Sequence, residues 1–155
     1  MTNQLFINNE FIESQSKETM DVINPATGEA FDTITLATEE EVNDEIEKSQ
    51  QAQLEWERVP QPTRAEHVKL LIPLLEKNRD EIAQLYVKEQ GKTLAQAYGE
   101  IDKSISFIDY MTSLSMSDKG RVLQNSIANE TIQIINKPIG VTAGIVPWLS
   151  LIHIS

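Results

Sequence analysis

The stretch 139–146 constrains the fold of this chain more than any other feature. It reads Ile-Gly-Val-Thr-Ala-Gly-Ile-Val, a nearly continuous apolar run with small residues. This is the composition of a strand that is buried on both faces of a parallel sheet, because such strands do not alternate with polar residues. A sheet of this kind needs covering helices, so the sequence predicts an α/β fold.

Two hairpins are predicted before the helices begin. The first joins apolar runs at 4–7 and 10–12 through Asn8 and Asn9, residues that tolerate positive φ. The second joins 20–23 to 30–36 through the segment Asn-Pro-Ala-Thr-Gly-Glu at 24–29, where proline and glycine favour a tight turn.

Helices are predicted over the middle of the chain. Thr38 with Glu41 and Thr63 with Glu66 have the spacing of capping boxes, and Asn78 with Glu81 is expected to open a third helix. Pro73 predicts a kink, and Gly91 is placed to end the third helix. Residues 113–129 lack periodicity and predict a connection, whereas 131–136 predict a further strand.

The helical segments also carry predicted inward faces. Three sets of residues follow helical spacing. They are Val68, Leu71, Ile72 and Leu75 in the second helix, Ile82, Leu85, Tyr86 and Glu89 in the third, and Leu94, Ala97, Ile101, Ile105, Ile108 and Met111 in the longest stripe.

Charge and hydropathy exclude several classes of partner. With 13 basic and 24 acidic residues in 155, the formal net charge is −11, which disfavours nucleic acid binding because polyanions are bound by clustered Lys and Arg. No apolar run is long enough to cross a bilayer, and residues 1–10 lack the features of a signal peptide. We therefore expect a cytoplasmic protein without membrane contact.

Residues able to carry chemistry are few. Cysteine is absent, so the chain has no thiolate nucleophile. Only two histidines occur, His67 and His153, so a zinc site based on histidine would have to use one of them. Gly91-Lys92-Thr93 is not a phosphate loop, since Tyr86 stands where that motif needs glycine. Lys92 is interpreted as a cation at a helix end, and His67 as exposed or hydrogen-bonded.

Separated blocks of this sequence resemble the N-terminal region of the aldehyde dehydrogenase superfamily, in the same order. The blocks are Phe6–Phe11, Asn24–Glu29, Glu89–Lys92, and Pro138–Val141 leading to Ile145–Trp148, with Trp56 and Arg64 spaced between them. Three further blocks resemble the branch that oxidises lactaldehyde and glycolaldehyde: Ala52–Glu57, Phe107–Met111 and Gly140–Ile145.

The resemblance implies a partial fold: hairpins, a helical lead-in and the first strand of a Rossmann-like sheet, all within 1–148. It assigns cofactor contact with NAD or NADP to Val146, Pro147 and Trp148, at the end of the predicted parallel strand. A packed turn with a buried indole is the alternative. Some relatives hold a monovalent cation near the 24–29 segment, for which Val22, Ile23 and Glu89 are candidates. The segment itself is interpreted as a structural turn, and no metal site is predicted, because hard cations need convergent oxygens that sequence cannot position.

The resemblance breaks at position 149. The family has asparagine there to stabilise an oxyanion, whereas this chain has Leu149, which cannot donate that hydrogen bond. Residues 149–155 are expected to be a non-family tail, with a sequencing, assembly or frame artefact as the hypothesis. The family's reaction also needs a cysteine nucleophile, which this chain lacks.

We therefore expect a truncated fragment of an NAD(P)-dependent aldehyde dehydrogenase, inactive by itself and with weak or no cofactor affinity. Its parent would oxidise a small aldehyde to a carboxylic acid, and relatives are homo-oligomers. The alternative is a non-catalytic interaction or regulatory module derived from the same lead-in. A small carboxylate-based enzyme is a weaker third hypothesis, because no His or Lys is evidently placed beside a pair of acids.

Overall fold

The structure is a computed structural model that describes residues 4–117 and 120–145. Within these ranges the strands form three separate two-stranded antiparallel sheets, each made of sequence neighbours. The strands are β1 (Leu5–Ile7), β2 (Glu10–Ile12), β3 (Thr19–Ile23), β4 (Ala30–Thr35), β5 (Arg121–Gln124) and β6 (Thr131–Ile134). The helices are α1 (Glu39–Trp56), α2 (Gln61–Lys69), α3 (Leu71–Lys77), α4 (Arg79–Gln90) and α5 (Leu94–Ser113), followed by a 3₁₀ turn at Leu114–Met116.

The first predicted hairpin is confirmed. Asn8 and Asn9 have φ of 52° and 65°, as a two-residue turn of the right twist requires. This turn sets Phe6 directly opposite Phe11, and their ring centroids are 5.0 Å apart. Cross-strand aromatic contact of this kind stabilises a short ribbon.

The second hairpin is also confirmed, and hydrogen bonds within residues 24–28 stabilise its turn. The backbone amides of Thr27 and Gly28 donate to the carbonyl oxygen of Asn24, whose side-chain oxygen accepts from the amide of Ala26. Gly28 has φ of 74°, a left-handed conformation that glycine adopts without steric cost.

Helix starts follow the predicted capping boxes in one case and not in another. Thr38 and Glu41 form the reciprocal pair that begins α1. The predicted box at Thr63 is wrong, because α2 already begins at Gln61 and has no side-chain cap. Pro62 lies in its first turn, where the ring's fixed φ favours helix and its missing N–H costs nothing.

Where the sequence predicts a kink at Pro73, the structure has a break between two helices. Pro73 has no N–H to donate to the carbonyl of Lys69, and α2 ends at that residue while α3 begins at Leu71. Asn78 precedes α4, but its side-chain amide donates to the carbonyl of Leu74, so it ends α3 and does not cap α4. Gly91, with φ of 68°, ends α4 as expected.

The hydrophobic core lies between α4 and α5. Ala83 and Tyr86 on α4 pack with Ala97 and Ile101 on α5, and each is at most 1% exposed. Two alanines in this layer leave room for close helix approach and for the phenol ring. The long apolar stripe is thus confirmed as core at its centre.

Other predicted inward faces are open to solvent. Val68 and Leu71 are 39% and 49% exposed, and Leu94 and Met111 at the ends of the stripe are 45% and 49% exposed. Helices α2 and α3 contact α5 along one side, and the described residues supply no further layer against these side chains.

The C-terminal part departs most from the sequence-based expectation. Strand β6 is confirmed, but β5 lies within the stretch that predicted only a connection, and both strands are exposed throughout. Residues 139–145 adopt no strand, and Ile139 and Ile145 are 92% and 97% exposed. A parallel strand needs hydrogen-bonding neighbours, and the described residues pair none with this segment.

Candidate functional site

The predicted cofactor residues Val146, Pro147 and Trp148 lie outside the described residues, as does the tail 149–155. The neighbourhood of the segment that leads to them is described. Two regions of the described structure contain residues of the resemblance blocks in polar contacts. One is the corner between α1 and α2, where Arg64 lies, and the other is the junction between α4 and α5, where Lys92 lies.

Arg64 organises the corner between α1 and α2. Its Nη1 donates to the carbonyl oxygens of Trp56, Glu57 and Val59, at 3.4, 3.3 and 2.5 Å. Helix α1 has no basic residue in its last turn, so Arg64 supplies the positive charge that favours the carbonyl end of a helix. The resemblance marked Arg64 as a landmark, and the structure gives it a capping role.

A cavity of about 420 Å³ separates this corner from the segment 136–140. Arg64, Lys137 and the amides of Gln53, Gln61 and Asn136 line it, together with Trp56 and Glu57. A second cavity of about 610 Å³ continues along Trp56 and Val59 to Val141. Indole and amide groups of this kind can bind a ligand or further polypeptide, but they supply no nucleophile.

The junction between α4 and α5 brings two of the resemblance blocks together. A Cβ placed on Gly91 would lie 2.8 Å from Cγ of Pro25, so the 24–29 turn packs against the end of α4. Beside it, Lys92 Nζ lies 2.5 Å from Glu100 Oε1 and 5.2 Å from the centre of the Tyr86 ring. The block residues therefore build a structural junction.

The sequence interpretation of Lys92 as a helix-end cation missed this ion pair. The available signal was the spacing of Thr93 and Gln96, which form a capping box that begins α5. That start would have placed Glu100 within the second turn of α5, within reach of Lys92.

Two titratable groups are strongly perturbed. Burial, aided by the nearby charges of Glu100 and Glu89, raises the pKa of Tyr86 to about 12. The pKa of Glu41 is lowered to about 2, because its carboxylate accepts hydrogen bonds from the amides of Thr38 and Gln15 and from the hydroxyl of Ser14. Neither group lies beside a nucleophile, so both shifts reflect structural hydrogen bonding and burial.

The described ranges contain neither a cluster of metal ligands nor a parallel strand–helix–strand unit for a dinucleotide. His67 is exposed, as predicted, with Nδ1 2.8 Å from the carbonyl oxygen of Thr63. Residues 4–117 and 120–145 contain no cluster of three or more His, Asp or Glu suited to a metal ion. Their strands form only antiparallel hairpins, which do not fit the parallel βαβ unit that binds dinucleotides.

Within the same ranges, none of the helices combines the length and apolar character needed to span a bilayer.

Sequence comparison identifies relatives of known activity. A profile of the Aldehyde dehydrogenase family matches residues 11–153. Malonate-semialdehyde dehydrogenase from Bacillus cereus (strain B4264) is 36% identical over 142 residues, which is 92% of this chain and 29% of that protein. The chain thus spans less than a third of the length of the curated relatives it matches.

Structural comparison agrees. A betaine aldehyde dehydrogenase from Staphylococcus aureus, solved with NAD⁺ and a BME-modified cysteine, superimposes with a TM-score of 0.83 at 26% identity, covering 88% of this chain and 28% of that one. Lactaldehyde dehydrogenase from Escherichia coli gives a TM-score of 0.81 at 28% identity, covering 84% of this chain and 27% of that one. The profile, the sequence relatives and the shared partial fold together establish that the chain belongs to the aldehyde dehydrogenase family.

Proposed function

We propose that this chain is the N-terminal part of an NAD(P)-dependent aldehyde dehydrogenase that converts a small aldehyde and water to a carboxylic acid. In this proposal the chain supplies the hairpins and helical lead-in, and the reactive thiol comes from sequence beyond it. The observation that carries the proposal is the family match over 11–153 in a chain that has no cysteine. Without a thiolate the family's covalent chemistry has no nucleophile, so the 155-residue chain is inactive by itself.

The distribution of apolar side chains supports a fragment over an autonomous module. The buried apolar residues of the described ranges are Ile7, Ala83, Tyr86, Ala97 and Ile101. Meanwhile β5 and β6 leave Val122, Leu123, Ile132 and Ile134 exposed. Apolar surface on this scale favours association, which fits a homo-oligomeric parent. We also propose the cytoplasm as the location of that parent.

Cofactor contact in the parent is proposed for Val146, Pro147 and Trp148. NAD or NADP would accept the hydride there, and this chain's contribution would be to line the cleft. The specific aldehyde is a finer proposal: the blocks of the sequence favour lactaldehyde or glycolaldehyde, whereas the curated relatives at 35–36% identity act on malonate semialdehyde.

The experiment is a chimera in which residues 1–148 replace the corresponding segment of the Bacillus cereus enzyme. We expect the chimera to oxidise aldehydes and reduce NAD⁺, because the transplanted segment restores a complete fold. Trp148→Ala in the chimera should raise KM for NAD⁺, with Phe107→Ala, a 57% exposed aromatic on α5, as the control that leaves this KM unchanged. A panel of lactaldehyde, glycolaldehyde and malonate semialdehyde compares substrates.

The isolated 155-residue chain provides the opposing test. We expect no NADH formation from any aldehyde of the panel and a broad, concentration-dependent melt. Turnover by the isolated chain would contradict the proposal. A sharp two-state melt of a monomer, combined with an inactive chimera, would favour the interaction or regulatory module instead.

A further inference from the structure

The loop between β5 and β6 places one asparagine side chain beside the backbone nitrogen that follows it. Asn125 comes directly after β5, and its backbone amide donates to the carbonyl oxygen of Glu130 at 3.2 Å, which closes the loop. Asn125 is half-buried, whereas Ser126 and Glu130 are exposed. The loop therefore has a defined closure and remains accessible to water.

Three hydrogen bonds orient the side-chain amide of Asn125. Its Oδ1 accepts from the backbone N–H of Ser126 at 2.7 Å and from the Ser126 hydroxyl at 3.4 Å. Its Nδ2 donates to Oε2 of Glu130 at 2.6 Å. Because Oδ1 is bonded to Cγ, these contacts hold the carbonyl carbon of Asn125 next to the Ser126 nitrogen, with Nδ2 turned towards Glu130.

This arrangement suits an attack of the backbone on the side chain. The nitrogen after an asparagine can reach Cγ because a small, unstrained ring closes, and holding the two groups together favours the reaction. The two donors on Oδ1 stabilise the negative charge that this oxygen acquires in the tetrahedral intermediate. Glu130 holds the leaving nitrogen Nδ2 away from the attacking nitrogen of Ser126.

We propose that Asn125 is a site of spontaneous deamidation, in which the backbone nitrogen of Ser126 attacks Cγ of Asn125. The bond between that nitrogen and Cγ forms, the bond between Cγ and Nδ2 breaks, and ammonia leaves with the proton of the Ser126 amide. Water then opens the cyclic imide at either carbonyl, which gives aspartate or isoaspartate. The new carboxylate faces Glu130, so the side-chain hydrogen bond across the loop is replaced by repulsion.

Asn129 in the same loop is an internal comparison. The nitrogen that would attack its side chain belongs to Glu130, and the N–H of that residue donates to the carbonyl oxygen of Ile127 at 3.3 Å. This bond directs the nitrogen to the backbone of the loop. We therefore expect Asn129 to react more slowly than Asn125.

Timed incubation of the 155-residue chain at mildly alkaline pH, followed by peptide mapping with fragmentation mass spectrometry, tests the proposal. The contacts that matter lie within residues 125–130, so this chain contains all of them. We expect Asn125 to convert to aspartate and isoaspartate, with isoaspartate in excess, ahead of Asn129. Ser126→Pro leaves Asn125 in place but removes the attacking N–H, so conversion should stop.

Glu130→Ala separates the effect of the loop from that of the Asn-Ser dipeptide. Glu130 is not a sequence neighbour of Asn125, so it acts on the rate through its contact with Nδ2. Glu130→Ala should slow conversion about two- to tenfold, the contribution of one hydrogen bond. Glu130→Gln is the matched control, because it keeps an acceptor oxygen and should change the rate by less than about twofold.

Four outcomes would overturn the proposal. They are an unmodified Asn125, conversion of Asn129 at an equal or higher rate, conversion that continues in the Ser126→Pro chain, and an unchanged rate at Asn125 in the Glu130→Ala chain.

Discussion

Replacing Gly91 with alanine tests how the 24–29 turn is attached to the end of α4. Two penalties add at this position. Gly91 has φ of 68°, and a left-handed conformation costs an L-residue about 1–2 kcal/mol. The new Cβ also lies 2.8 Å from Cγ of Pro25, which belongs to a closed ring and cannot rotate away.

The expected loss follows from these terms. Overpacking of a filled site costs about 1–3 kcal/mol, so Gly91→Ala should lower the free energy of unfolding by about 2–5 kcal/mol in total. Gly28→Ala is the matched control, because Gly28 has φ of 74° but a Cβ added there would meet no described atom within 4 Å. It should cost only the conformational term of about 1–2 kcal/mol.

Native-state amide hydrogen exchange on the chimera described above provides the assay, because it reports local opening free energies without requiring a two-state melt of the isolated chain. The packing term is isolated by Pro25→Ala, alone and combined with Gly91→Ala, as a double-mutant cycle. We expect a coupling free energy of about 1–3 kcal/mol, because removing the ring removes the clash. Equal losses for Gly91→Ala and Gly28→Ala, with no coupling to Pro25, would refute the packing of the turn against the helix end.

Three further predictions address the core, the helix ends and pH. Ile101→Ala should lower the free energy of unfolding by about 2–5 kcal/mol in the same assay. Phe107→Ala is the control, because Phe107 is 57% exposed, and it should cost under about 1 kcal/mol. Equal costs would contradict a core between α4 and α5. Arg64→Ala should lower the free energy of unfolding by about 1–3 kcal/mol and speed amide exchange near the end of α1, because three carbonyl oxygens lose a charged donor. Unchanged exchange there would contradict the capping role of Arg64. The pKa of Glu41 is lowered in the folded state, so its stabilising contribution is complete above pH 4.5 and is lost as pH falls from 4.5 towards 2. The protection factor of the Gln15 amide, corrected for the intrinsic pH dependence of exchange, should therefore fall across that window in wild type, and a Glu41→Gln chain should show no such fall.

Local patterns were sufficient to predict the elements whose stability is local. The Asn8-Asn9 turn, the Thr38–Glu41 box and the end of α4 at Gly91 all agree with the structure, and Pro73 disturbs its helix more strongly than the kink predicted from the sequence. Each depends on a backbone preference or a hydrogen bond within a few residues. The family also followed from the sequence, because its blocks are short motifs in a fixed order.

Contacts between elements could not be predicted in this way. The partners of Arg64 lie five to eight residues before it, and Glu100 lies eight residues beyond Lys92 across a turn. Neither pairing follows a helical or strand period, so both needed the angle between successive helices. The contact between Pro25 and Gly91 spans most of the lead-in and has no sequence signal.

By itself, then, the sequence determined the family, the turns, the start of α1, the bounds of α4 and the absence of a thiol nucleophile, since these depend on residue identity and short-range geometry. Tertiary structure alone decided which apolar side chains are buried. Helical spacing placed Val68 and Leu94 on apolar faces as firmly as Ala97 and Ile101, yet burial requires a second surface, which α4 and α5 supply to each other. The same requirement explains the segment 139–145: its composition suits the interior of a sheet, and a strand forms only where neighbouring strands accept its hydrogen bonds.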